Sequence, residues 1–114
     1  MNLPFTITPA LAWIFLVLAG LFEILWAIAL RYSEGFTKFV PSAITLAAMG
    51  ASVVFLGLSL KVLPLGTAYA VWVGIGIVGV AVLGIYLFDE PATLLRIASM
   101  MMIAVGIIGL KLID

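Results

Sequence analysis

The chain contains neither cysteine nor histidine, and only 9% of its 114 residues are charged. Without cysteine there are no disulfides, thiol nucleophiles or thiolate metal sites. Without histidine, imidazole acid–base chemistry is excluded too, and no cofactor or metal is expected. Lys and Arg total five, as do Asp and Glu, so the formal net charge is zero. No basic patch marks a nucleic-acid surface. What remains is apolar: 67% of residues are hydrophobic and the mean hydropathy is +1.44. Soluble domains are about half apolar and about a quarter charged. A chain of this size cannot hide so much apolar surface from water, so its solvent is a bilayer.

The hydrophobicity falls into four runs. Residues 10–30 carry one charge, Glu23, and residues 92–110 carry one, Arg96; residues 39–60 and 62–88 carry none. A spanning helix needs about 20 apolar residues. The pattern predicts an all-α integral membrane protein with four transmembrane helices, one domain over residues 1–114. The first run is not expected to be a cleaved signal, since no positive side chain precedes it and it is long and acidic. The connections are short. Residues 31–38 (RYSEGFTK) turn at Gly35, and residues 61–66 (KVLPLG) break at Pro64 and Gly66. Asp89-Glu90-Pro91 is expected to open the fourth helix, with acids at its positive end and proline in its first position.

Gly74, Gly76 and Gly79 fit the dinucleotide pattern G-x-G-x-x-G. Here they sit inside an apolar helix with no strand–helix turn, so the nucleotide reading fails. Glycines in membrane helices permit close backbone approach, or a bend. Tyr69, Trp72, Gly76 and Gly79 recur at +3, +4 and +3. They share one helical face, either a packing seam with a hinge or simple close packing.

Glu23 is the one ionisable side chain in mid-span. Such residues are expensive in a bilayer and usually line a pathway or face a partner. A permanently protonated structural Glu is the alternative, but no basic residue lies at similar depth. A carboxyl can hold a proton or a cation, not both, which is the simplest form of an exchanger. Trp26 falls on the same helical face and can offer an N–H donor or a ring face to a cation. Trp13 suits an interfacial belt instead. Ser52 lies on a stripe with Thr45, Met49 and Ser59, and either bonds another helix or orients Glu23. Tyr69 and Trp72 could wall a cation site or merely pack. Gly106 and Gly109, small residues on one face, suit helix association. Arg96 and Lys111 read as anchors at the two ends of that helix.

Four spans place both termini beside the 61–66 loop, with Lys61 and Lys111. Arg31, Lys38 and Arg96 lie on the other side. Counting the terminal amine, the sum is three against three. Lys/Arg bias sets orientation, so insertion both ways is expected. Four short helices with one carboxylate are too few to wall an aqueous cavity. An inverted pair of chains would supply the two repeats that alternating access uses.

These residues resemble the small multidrug resistance family of proton-coupled cation exporters, from about Leu11 onward. The resemblance rests on A-G-L-F-E-I-L-W-A, S-E-G-F-T-K-F-V-P-S and L-P-L-G-T-A-Y-A-V-W followed by G-I-G-I-V-G, in that order. Glu23 with Trp26, Ser52 and the closing G-I-I-G-L-K resemble the guanidinium-exporter subtype. The resemblance implies an antiparallel, dual-topology homodimer in the bacterial cytoplasmic membrane, or a heterodimer of two paired chains, and no enzyme. It implies Glu23 as the shared proton and substrate site, lined by Trp26, Ser52, Tyr69 and Trp72, with helix 4 making much of the dimer contact. Guanidinium-like cations are the implied substrate, and quaternary ammonium or polyaromatic cations the alternative. A membrane assembly subunit or small channel is the reading from another class. The chain departs from the subtype at Val73, usually Thr or Ser, and at Val53, commonly aromatic. Both changes bear on substrate range.

Overall fold

The computed structural model describes residues 6–113 as four helices: α1 Pro9–Tyr32, α2 Phe39–Ser59, α3 Leu65–Leu87 and α4 Leu94–Ile113. All four are long and apolar enough to cross a membrane. There is no strand among the described residues. The terminal amine counted above lies outside them.

Local chemistry sets the helix ends. Thr8 caps α1, its hydroxyl accepting from the Leu11 N–H at 3.1 Å, and Pro9 fills the first turn where no backbone donor is needed. Between α1 and α2 the buried Ser33 donates to the Leu30 carbonyl (2.6 Å) and accepts from the Phe36 N–H (3.1 Å). Gly35 turns there with φ 74°, flanked by Glu34 and Phe36, which also have positive φ. Pro64 is the N-cap of α3, whereas Gly66 lies inside its first turn and breaks nothing.

The start of α4 differs from expectation. The helix opens at Leu94, after Thr93, whose hydroxyl accepts from the Arg96 N–H at 3.2 Å. Asp89, Glu90 and Pro91 precede it, and the backbone of Glu90 helps close the end of α3 instead. The N–H groups of Phe88 (3.0 Å) and Glu90 (3.3 Å) both donate to the Gly84 carbonyl. A carbonyl in the last turn would otherwise be orphaned. Asp89 adopts φ 52°, which bends the chain away before α4 can begin.

α1 is the middle element, packed on both α2 and α3, and α4 docks on α3. The core joins Ala12, Leu16 and Ala19 of α1 to Leu56 of α2 and to Ala68 and Val71 of α3. Small side chains let the helix backbones approach, the usual basis of association in lipid. Phe55 of α2 stacks on Phe22 of α1, with centroids 5.7 Å apart. Large side chains such as Leu21, Val54 and Met102 stay exposed. On α4 only Met100 is buried.

Candidate functional site

The seam between α1 and α3 positions Glu23. A Cβ added to Gly76 would stand 2.6 Å from the Glu23 Cδ, so the carboxyl occupies space that only glycine leaves free. One turn on, Gly79 makes the same room for the Ile24 side chain, and Gly20 of α1 admits Ile75 in return. Gly74 points elsewhere: a Cβ there would meet Ile107 Cδ1 of α4 at 2.7 Å. The three glycines therefore serve two neighbours, and α3 runs through them as one continuous helix.

Glu23 and Trp26 line one cavity of about 420 Å³, with Gly76 and Val80 along its α3 wall and Glu90 and Arg96 at one end. Glu23 Oε2 and Trp26 Nε1 are both buried, and neither has a hydrogen-bond partner. Buried polar atoms are almost always paired. Both residues line the cavity, and each keeps one polar atom that no group of this chain satisfies.

Ser52, Tyr69 and Trp72 form a neighbouring cluster and do not line that cavity. Trp72 Nε1 donates to Ser52 Oγ at 2.9 Å, and Ser52 donates to the Ala19 carbonyl at 2.7 Å. In an α-helix that carbonyl also takes the N–H of residue 23. Ser52 thus reaches the backbone one turn before Glu23, not its carboxylate. Tyr69 meets the Trp72 ring edge-on at 5.4 Å and is 54% exposed. Thr45 and Ser59, on the same stripe as Ser52, bond carbonyls of their own helix.

At the far end of α4, Gly106 and Gly109 have nothing within 4 Å of where a Cβ would stand, leaving an open face. Lys111 sits over the Trp13 ring, 4.9 Å from its centroid. Arg96 is not a free anchor: it folds back, with Nη2 3.4 Å from Glu90 Oε1 and Nη1 donating to the Pro91 carbonyl at 2.8 Å. Glu90 and Arg96 were not expected at the Glu23 cavity. Their partnership crosses a loop, where helical spacing gives no signal, although Gly84, beneath the Glu90 carboxyl, marks the seat.

Four helices long and apolar enough to cross a membrane, with Glu23 in the seam between α1 and α3, define a multi-pass membrane protein. The family model described as Small Multidrug Resistance protein matches residues 11–103, and the chain belongs to that family. It is 61% identical over 102 residues to a protein of Yersinia pseudotuberculosis named Guanidinium exporter, covering 90% of this chain and 98% of that one. Proteins of the same name from Escherichia coli K12 and Proteus vulgaris are each 53% identical over 102 residues, covering 90% of this chain and 97% and 98% of theirs.

Proposed function

We propose that this chain, a single four-helix transporter domain, is a proton-coupled antiporter. It exports guanidinium-like cations across the cytoplasmic membrane, and it is not an enzyme. The observation that carries this reading is the buried Glu23 Oε2, which no hydrogen bond satisfies, on a residue that lines one cavity with Trp26. A guanidinium donates planar, paired N–H bonds that match a carboxylate. A proton would neutralise the same oxygens, so the two ligands exclude one another. The naming of relatives at 53% and 61% identity as guanidinium exporters supports the choice of cation.

The working unit in this reading is an antiparallel homodimer. Tyr69 stands half exposed beside Trp72, and the Gly106–Gly109 face of α4 is open, so one chain leaves both the site and a packing surface incomplete. Tyr69 and Trp72 then complete the wall around the cation, and Ser52 holds Trp72 in place. Gly76 and Gly79 let α1 lie close enough to present Glu23, and Gly74 seats α4. Bulkier quaternary ammonium ions are a second reading, favoured by the apolar cavity wall of Ile77, Val80 and Ala81. They would gain charge and cation–π contact but no N–H bonds.

Liposomes holding only the purified protein test the reading. Guanidinium uptake driven by a proton gradient is expected. Passive flux indifferent to that gradient would instead describe a channel.

A further inference from the structure

The cavity that holds Glu23 has a second carboxylate at its other end. Glu90 sits against α3 where Gly84 has no side chain, the Glu90 Cδ lying 2.8 Å from where a Cβ would be. Gly76, which seats Glu23, and Gly84, which seats Glu90, are eight residues apart, about 12 Å along α3 at 1.5 Å per residue. Glu23 and Glu90 are the acids lining that cavity, and apolar residues such as Ile77 and Val80 separate them. The outer carboxylate already carries a guanidinium, that of Arg96. The contact is a single one of 3.4 Å between side chains 35% and 38% exposed. A firm charge-assisted bond is about 2.7–2.9 Å, and part-exposed ion pairs are weak. Arg96 also donates to the Pro91 carbonyl at 2.8 Å, through the other guanidinium nitrogen.

We propose that Glu90 is an outer binding site for guanidinium-type cations, kept occupied by Arg96 as a tethered competitor that an arriving cation displaces. A carboxylate that receives an arginine side chain offers a free guanidinium the same acceptor geometry. The incoming cation takes Glu90, Arg96 swings off while still bonded to Pro91, and the cation then has an apolar-walled path of about two helical turns to Glu23. This inference rests on the transport reading for its purpose, but not for its chemistry.

Two measurements test it. In proteoliposomes, Arg96→Gln removes the competitor and is expected to lower KM for guanidinium by about threefold or more. Glu90→Gln removes the site and raises KM by a similar factor, each with maximal rate within about twofold of the unsubstituted protein. If the pair only braces the loop, breaking it from either side changes KM in the same direction, and the proposal is overturned. The second measurement needs neither transport nor the Glu90 variant. In Glu23→Gln protein, lacking the central carboxylate, the Arg96 side-chain NMR resonance should shift saturably on titration with guanidinium. A resonance that does not move overturns the outer site. If the unsubstituted protein took up guanidinium without proton coupling, the antiport reading would fall, and the Arg96 titration would still decide this one.

Discussion

The carboxyl of Glu23 occupies the space that any side chain on Gly76 would need. A methyl group there meets Glu23 itself, so Gly76→Ala must push the carboxyl or the helix aside. A displacement worth about 1.4 kcal/mol lowers affinity about tenfold, and a guanidinium Kd weakened by at least about that factor is expected. Calorimetric titration checks it, with circular dichroism showing the helices intact. An unchanged Kd would mean that the seam does not position the acid.

Ser52 links three helices, and its removal should register in stability. Ser52→Ala leaves Trp72 Nε1 without its acceptor and the Ala19 carbonyl without its extra donor. Interhelical hydrogen bonds in membranes are worth about 0.6 kcal/mol, up to about 1.7. A loss within that range is expected in detergent unfolding. Ser59→Ala is the contrast, because that hydroxyl bonds Leu56 within its own helix. Equal losses for the two would remove the special role of Ser52.

The spans were legible because a bilayer demands about 20 apolar residues per helix, and the runs meet that demand. Glu23 was legible as a candidate because a lone mid-span charge is costly in a bilayer. Helical periodicity placed Gly76 and Gly79 on one face, but not which neighbour that face meets. It gave no warning that Gly74 serves α4 rather than α1. The opening of α4 was misplaced because Asp89-Glu90-Pro91 satisfies the chemistry of a helix start as well as that of a link. The Gly84 carbonyl, which takes the N–H groups of Phe88 and Glu90, and the Thr93 hydroxyl, which accepts from Arg96, decide between them. The Trp72–Ser52 bond depends on the distance between two helices, which neither sequence run encodes alone.

Orientation follows from charge. Lys61 and Lys111 lie at one end of the bundle and Arg31, Lys38 and Arg96 at the other, close to balance. Two or three lysines added at one end should fix the chain in one orientation. In the proposed antiparallel homodimer that variant loses most of its activity, and co-expression with an oppositely biased copy restores it. Accessibility labelling of single cysteines introduced into the loops reports the orientation. Full activity from a population in a single orientation would refute the inverted pair.

Glu23→Gln keeps the shape of the side chain and removes its charge. Proton-coupled exchange should fall to the background of empty liposomes, while cross-linking still traps dimers. Coupled exchange at the unsubstituted rate would end the role proposed for Glu23.

The most direct test is whether guanidinium and a proton compete for Glu23. If they share its carboxylate, binding to the protonated protein must expel a proton. Apparent affinity then falls as pH drops through the titration of that carboxyl, approaching about tenfold per pH unit for one proton released, and levels off at higher pH. Calorimetry across the pH range in which affinity changes, in two buffers of different ionisation enthalpy, measures the released proton. Shared binding predicts heats that differ between the buffers by up to one proton's worth per cation, most at the acid end. Heats independent of buffer across that range, with affinity indifferent to pH, would contradict a single carboxylate serving both ligands.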